Sequence, residues 1–426
     1  MKHFSKIIIG ALFFSPLCSN NFEETLIAKH CTNPSCTCDP CTCDPCRCIQ
    51  SNCCPLGKPT DRENLTDGCS YCQCSPCSCA PCDFIAPCPP ENCGYNCPQF
   101  LDLKCSWDIG IYGAFLYFQA KEEGLEVAAI TDLDSVQNTV NTSLVTMSFD
   151  YKPAFRVGLS ANFCNDNWVM YAEYLWYHTT NGQANTSVDA ETDATLIANS
   201  YWGGFTNDDF SEFSSTYACT SYDAKSSWTL DLDIVDLQLA RRYFVGQCLT
   251  FMPHVGLRAA WIDQQYNAEY FCLNVIDNEA LDLNSKNSSS SWAIGPKGGI
   301  DTNWNFCCGV RFFQNTNLSI LYTDYDSIKS SSNGSITTDG GQLEATGSYS
   351  NTECHLRPEA DIALGIGWGD YFCCNSFYFD LAFAYEAHVF WDQNMLPKNG
   401  DYPTIPSALR GNLYLHGLSV TARLDF

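Results

Sequence analysis

The stretch FYFDLAFAYEAHVFW, Phe377 to Trp391, places an apolar side chain at almost every second position. Phe377, Phe379, Leu381, Phe383, Tyr385, Val389 and Trp391 share one face, and Asp380, Glu386 and His388 share the other. A period of two is the side-chain alternation of a β-strand. Strands of soluble proteins usually stop after about five or six residues. This one runs on long enough for a tilted strand to cross a bilayer, which takes about 9–11 residues. One face suits hydrocarbon and the other suits water.

The same text recurs up and down the chain. In KPAFRVGLSANF (152–163), Phe155, Val157, Leu159, Ala161 and Phe163 oppose Arg156, Gly158, Ser160 and Asn162. In NWVMYAEYLWYH (167–178), Trp168, Met170, Ala172, Tyr174 and Trp176 oppose Glu173. In LTFMPHVGLRAAW (249–261), Leu249, Phe251, Val255, Leu257, Ala259 and Trp261 oppose His254 and Arg258. In LRPEADIALGIGW (356–368), Leu356, Ala360, Ile362, Leu364, Ile366 and Trp368 oppose Arg357, Glu359 and Asp361. Trp and Tyr cluster near segment ends, as an aromatic girdle requires. Connections alternate between tight turns (164–167, 246–248, 305–308, 369–375) and long polar stretches (181–227, 273–290, 327–352, 392–409). Short turns at one end and long loops at the other are the pattern of an outer-membrane barrel. The predicted fold is therefore all-β, a transmembrane antiparallel β-barrel of ten to twelve strands. One long strand from Trp107 to about Ile130 gives ten; three strands in that region give twelve. Pro153, Pro253, Pro296 and Pro358 interrupt the ladders and predict bulges.

Composition agrees. The net charge of −26 argues against nucleic acid as a partner, which needs clustered Lys and Arg. Charged residues are only 16% of the chain and aromatic ones 14%. No apolar run reaches the length of a spanning helix.

The first residues look like an export signal. Lys2 and Lys6 precede the apolar run IIIGALFFSPL (7–17), with Ser19 as a small residue for cleavage. The predicted organisation is a signal peptide over 1–19, a Cys/Pro-rich periplasmic extension over 20–106 and the barrel over 107–426. The extension contains CTCDPCTCDPCRC (36–48), with six cysteines in thirteen residues: Cys36, Cys38, Cys41, Cys43, Cys46 and Cys48. With few large apolar residues it has no means of building a core and relies on cross-links or metal for order. CxC and CxxC spacing suits thiolate metal clusters as well as disulfides. Export to an oxidising compartment favours disulfides. Adjacent CxC thiols bridge each other poorly, so partners farther away or in another chain are expected. Six further cysteines, Cys164, Cys248, Cys307, Cys308, Cys373 and Cys374, fall in or beside the tight turns. If those turns are periplasmic, they share a compartment with the extension. No metal or cofactor is assigned.

Several segments resemble a known family. FDYKPAFRVGLSANFCNDNWVMYAEYLWYHTT (149–180), DLQLARRYFVGQCLTFMPHVGLRAAWIDQQY (236–266), GPKGGIDTNWNFCCG (295–309) and WDIGIYGAFLYFQAKEEGLEVA (107–128) are similar to the pore-forming major outer membrane proteins of legionellae and environmental chlamydiae. The resemblance covers roughly Trp107 to Phe426 and leaves out the Cys/Pro-rich extension. It implies a porin for small hydrophilic solutes, abundant in the envelope and often cross-linked by disulfides.

On that reading the polar strand faces line a lumen, with Arg156, Glu173, His254, Arg258, Lys297, Asp301, Arg311, Asp361, Asp380 and Glu386 as pore-lining candidates and Glu359 beside them. Ten or twelve strands enclose a narrow space, so these residues could equally pair into a closed polar plug. A non-conducting structural or adhesive barrel is the alternative. Asp208, Asp209, His178, His388 and His416 are what a hydrolase would draw on. No GxSxG or HExxH motif accompanies them, and no catalytic residue is assigned. The expected partners are the outer-membrane bilayer, other cysteine-rich envelope proteins through disulfides, and further copies of the chain. The ending LSVTARLDF, with alternate apolar residues up to Phe426, matches the terminal signature read by the barrel assembly machinery.

Overall fold

Ten strands account for the alternation. The computed structural model describes residues 103, 108–134, 139–163, 167–189, 194–198, 221–245, 248–274, 279–306, 309–338, 341–373, 376–398, 407–408 and 411–426. Residues 1–102, and with them Cys36 to Cys48, lie outside the described residues, as do Cys164, Cys307, Cys308, Cys374, Asp208 and Asp209.

The barrel strands are β1 (Ile109–Glu122), β2 (Tyr151–Asn162), β3 (Trp168–Asp189), β4 (Ser221–Arg241), β5 (Leu249–Asn274), β6 (Glu279–Asn305), β7 (Val310–Thr338), β8 (Gly341–Phe372), β9 (Phe377–Phe390) and β10 (Leu413–Asp425). Each pairs antiparallel with its sequence neighbours, and β1 closes the ring against β10 from Gly110↔Asp425 to Glu122↔Leu413. Beyond that ladder, Ile109 and Phe426 exchange backbone hydrogen bonds of 3.1 and 2.9 Å, so the last residue is tied to the first strand. Closure leaves no free edge, which a barrel in lipid requires. Both ends of the barrel and its tight turns lie at one end, the turn end. There Asn167 (φ 59°), Gly309 (φ 75°) and Cys373 (φ 50°) each supply the left-handed residue that reverses the chain.

The wall is uneven. β1, β2, β9 and β10 have 14, 12, 14 and 13 residues, whereas β5 to β8 have 26, 27, 29 and 32. Two of the stretches expected as loops, 273–290 and 327–352, are mostly these strands continuing beyond the apolar belt. Their Ser- and Asn-rich text reads as loop because neither face is strongly apolar, yet the ladder needs only backbone. The expected long first strand is also two pieces. β1 ends at Glu122, a turn at Glu123–Gly124 follows, and Ala128–Asp134 joins a small sheet with Thr139–Val145 and Ala194–Ala198. This break keeps the wall low on the side of β9, β10, β1 and β2.

The prolines do not sit at the register shifts, which fall at Thr180/Gly182, Ser290/Trp292 and Tyr325/Ile328. Each instead stands where one flanking ladder is open. Pro153 pairs with Tyr117 on one side, but the β2–β3 ladder begins only at Phe155. Pro253 faces the break at Arg242 between β4 and Tyr243–Val245. Pro296 lies in the gap of the β6–β7 ladder between Ile294 and Lys297, and Pro358 just precedes the first β8–β9 pair. A residue without an N–H fits where no ladder bond is made, and no extra residue is needed.

The outer surface carries a belt of exposed apolar residues starting at the turn end. Leu159, Leu257, Leu318, Leu356, Ile366 and Leu418 are all at least 54% exposed, and Trp261, Trp292, Tyr322 and Tyr117 stand toward its upper margin. Such a continuous apolar band is stable facing hydrocarbon, not water.

Candidate functional site

The lumen face of the belt is charged. Arg156 Nη2 donates to Glu386 Oε2 at 2.6 Å, and Arg156 Nε lies 3.2 Å from Glu173 Oε1. Tyr112 donates to Glu173 at 2.8 Å. Arg258 grips Asp236 through Nε and Nη2 at 2.8 and 2.7 Å, while its Nη1 reaches Asp361 at 2.8 Å and also Glu359. Lys297 donates to the same Asp236 at 2.8 Å. His254 Nε2 meets Asn317 Oδ1 at 2.5 Å, and Asn317 donates onward to Asp361. Asp301 lies 3.8 Å from His254 Nδ1. Arg311 clasps Asp380, and Arg423 clasps Asp425. Strand alternation produces this grouping: every member has the parity opposite to the lipid-facing side chains of its own strand.

These groups surround a cavity of about 270 Å³. All ten pore-lining candidates named from the sequence line it, together with Tyr112, Asp236, Asn317 and Arg423. Among the described lumen residues, Arg156, Arg258, Lys297, Arg311 and Arg423 face Glu173, Asp236, Asp301, Glu359, Asp361, Asp380, Glu386 and Asp425. Five cations thus share eight carboxylates. Arg423, Asp425 and Asp236 were legible in the strand pattern, since each opposes apolar neighbours at odd spacing.

Toward the tall end the lumen changes character. Leu116, Phe118, Leu175, Tyr177, Leu230, Leu232, Ile262, Leu321, Phe390, Leu413 and Leu415 point inward, each at most 4% exposed, and pack as one cluster. Two segments fold in over the low wall to complete it. From the β1–β2 connection come Leu125, Val127 and Ala128, and Tyr270 fixes them by donating to Val127 O at 2.8 Å. From the β9–β10 connection comes Leu396, while its neighbour Met395 packs beside it with Tyr325 and Ile328. Asn394 ties the two segments together, donating through Nδ2 to Glu123 O at 2.8 Å while its Oδ1 accepts from Leu396 N at 2.9 Å. This apolar plug was missed from sequence. Runs such as AFLYF (114–118) and YLWY (174–177) are apolar on both faces, and alternation alone reports only the outward one.

Tyr266 and Glu122 are ionisable groups in this plug, above the apolar belt. Burial pushes the Tyr266 phenol up to about 12. Glu122, beyond the last outward aromatic of β1, is 2% exposed. Burial holds its carboxyl well above the usual range, against a weak opposing hydrogen bond from Gln264 Nε2 at 3.3 Å. Its Oε1 has no hydrogen-bond partner.

The remaining named residues fall elsewhere. His178 points outward and meets Asp233 at 2.8 Å, and His416 contacts Tyr385 on the outer face. Cys248 and Cys373 are exposed at the turn end, and neither is bonded to another cysteine among the described residues.

The chain matches the family model described as the Legionella pneumophila major outer membrane protein precursor over residues 102–426. Among solved structures it is similar to the outer membrane protease OmpT from Escherichia coli, at 9% identity, with 77% of this chain and 99% of that chain covered and a TM-score of 0.30. It is also similar to a major outer membrane protein from Thermus thermophilus, at 9% identity, with 74% and 99% covered and a TM-score of 0.21. A Pseudomonas aeruginosa FadL homologue is matched at 8% identity, with 75% and 89% covered and a TM-score of 0.22. A search of curated proteins gave no match. The family match spans every barrel strand, from the first closing pair to the terminal Phe426, and the apolar belt is the one such a protein needs in the outer membrane: the chain belongs to the Legionella major outer membrane protein family.

Proposed function

We propose that the barrel is a porin for small hydrophilic solutes whose path is shut, in the conformation described, by the apolar plug. The observation that carries this is the cavity of about 270 Å³ ringed by charged side chains of both signs inside the belt. A barrel serving only as an anchor could fill that space with apolar side chains, as its own upper half does. Ten strands leave a narrow lumen, so conduction requires the segments at 123–128 and 393–396 to swing out. Purified protein in planar bilayers should then give small discrete current steps, changed by Arg156→Gln or Arg258→Gln. Persistent silence under all voltages and after loop cleavage would remove the pore.

A second reading, a sealed structural or adhesive barrel, is favoured by the same plug, whose residues are as buried as a soluble core. Conductance separates the two.

In either case our reading takes the turn end as periplasmic, with residues 1–19 as a removed signal and 20–106 as an extension on that side. Phe426 serves as the assembly signature. The extension then lies in reach of Cys248 and Cys373, both exposed there. On this reading it cross-links the barrel to neighbouring cysteine-rich envelope chains. Membranes isolated with thiols blocked should show high-mass species that collapse to monomer on reduction. Identical migration with and without reductant would end the cross-linking role.

A further inference from the structure

We infer that Glu359, Asp361 and His388 form a divalent transition-metal site at the junction of the charged lumen and the apolar plug. The inference does not depend on whether the barrel conducts. Asp361 and His388 are direct cross-strand partners on β8 and β9, and Glu359 is two residues along β8 on the same face. Direct partners place their Cβ atoms about 4.5–5.5 Å apart, and i and i+2 side chains project side by side. One ligand atom from each residue lies within 4.8 Å of the other two. Around a tetrahedral zinc with bonds of about 2.0–2.2 Å, neighbouring donor atoms stand roughly 3.3 Å apart. Side-chain rotation of about 1 Å closes that difference.

The second observation is His388 itself. Its side chain is 7% exposed, yet neither ring nitrogen makes a hydrogen bond. The nearest carboxylate, Glu386, is 3.5 Å from Nε2 and is already held by Arg156. Phe118 closes the ring's other side, with centroids 5.7 Å apart. A buried imidazole with Nδ1 unpartnered and Nε2 held only by the long contact to Glu386 is costly unless something else uses the nitrogens.

Charge points the same way. Asp236, Glu359 and Asp361 share only two cations, Arg258 and Lys297. One carboxylate more than the cations that hold them stands beside the His388 imidazole, in a site where a metal cation would be drawn in. Arg258 touches both proposed carboxylate ligands, but its two bonds to Asp236 would remain when they turn. Each carboxylate oxygen keeps a free lone pair beyond its present bond. One imidazole with two carboxylates suits Zn²⁺, Co²⁺ or Mn²⁺ more than Ca²⁺ or Mg²⁺, which prefer all-oxygen shells. The adjacent cavity supplies water for the open position.

The test uses the full-length chain in detergent, with thiols alkylated so that the cysteines do not compete, and ZnCl₂ as the probe after chelator treatment. The expected result is one Zn²⁺ per chain, with His388→Gln and Asp361→Asn each weakening binding at least about tenfold. His178→Gln, on the outer face, should bind as the parent does. Zn-edge X-ray absorption of the unmutated protein gives an answer even if a variant fails to fold. It should show nitrogen and oxygen neighbours with a histidine signature and no sulfur. Absence of Zn²⁺ from the alkylated parent, a sulfur shell, or equal affinity in folded His388→Gln and Asp361→Asn would overturn the site.

Discussion

The two halves of this barrel wall obey opposite polarity rules. Within the belt, Val255 and Leu257 of β5 face out, and His254 and Arg258 face in. A few residues higher, Ile262 and Tyr266 face in, and Asp263 and Gln265 face out. β4 shows the reversal in one line. In LDLDI (230–234) the apolar residues point inward and Asp231 and Asp233 outward, whereas below them Asp236 points inward and Leu237 outward. The backbone and its ladder are the same throughout. What changes is the medium outside. Hydrocarbon forces polar groups inward, and once the wall rises into water the hydrophobic effect sends apolar groups inward instead. The lower half is thus held by lipid outside and ion pairs inside, and the upper half is a soluble core wrapped in a sheet.

The largest test of that contrast is Arg258→Met. It leaves Asp236, Glu359 and Asp361 with Lys297 as their remaining cation contact in this cluster. Removing one partner from a buried ionic group costs about 3–5 kcal/mol. Urea unfolding of the refolded barrel should show a loss of that size. Since a matched pair can often be exchanged for apolar residues at little cost, Arg311→Met with Asp380→Leu should recover most of what Arg311→Met alone loses. If the double variant is no better than the single, the lower half is not held by pairing.

In the upper half the corresponding change is Leu232→Ala. Leu232 is 1% exposed in the plug cluster. A cavity there should cost about 3 kcal/mol, within the usual range for buried leucine truncation. The two variants differ in kind as well as size: the first strands buried charge, which added salt screens only weakly, and the second opens a void.

The same contrast explains what was legible in the sequence. A barrel of ten to twelve strands, their order and the inward-facing polar side chains could be read because lipid imposes a strict period of two on the belt. Arg156, Glu173, Arg258 and Asp380 announced themselves as charges in apolar text. Above the belt, water stands outside and the lumen inside is dry, so the phase of the alternation flips without any change in period. LDLDI reads as a good strand either way, and nothing local says which face is inward. The Ser-rich runs 288–291 and 330–332 looked like loop for a related reason: Ser289, Ser291, Ser330 and Ser332 are buried in the tall wall, but serine gives no hydrophobic signal. The plug segments at 123–128 and 393–396 were invisible because their partners are far away in sequence. Asn394 meets Glu123 across 271 positions.

Those segments give a smaller effect. Asn394 is fully buried and makes two side-chain hydrogen bonds that fasten both of them. Asn394→Ala should weaken the plug by about 1–2 kcal/mol at roughly 1 kcal/mol per bond. Global unfolding should move little, because the ladders are untouched. Proteolysis at 123–128, or the frequency of current steps, should rise severalfold. No change in either would mean that the plug is held by apolar packing alone.

Glu122 offers the finest test, because it places a carboxyl among the apolar side chains of the upper half. An ordinary glutamate titrates near 4.5, and burial holds this one well above that. Below about 4.5 the group is protonated whether the plug is in or out, and it contributes no pH dependence. As pH rises past that value, the plug-out form ionises in water while the buried form keeps its proton. Free energy therefore shifts toward the plug-out form until the raised value is also passed. The plug should be tightest in acid and loosen toward neutral pH. Glu122→Gln cannot ionise, so it should flatten the profile and resemble the acid form of the parent. Opening measured by protease sensitivity at 123–128 between pH 4 and 8 gives the comparison directly. A parent profile that is flat, or one that Glu122→Gln leaves sloping, would show that this carboxyl meets water despite its place among Leu, Trp and Gln side chains, and that the upper lumen is wetter than its packing implies.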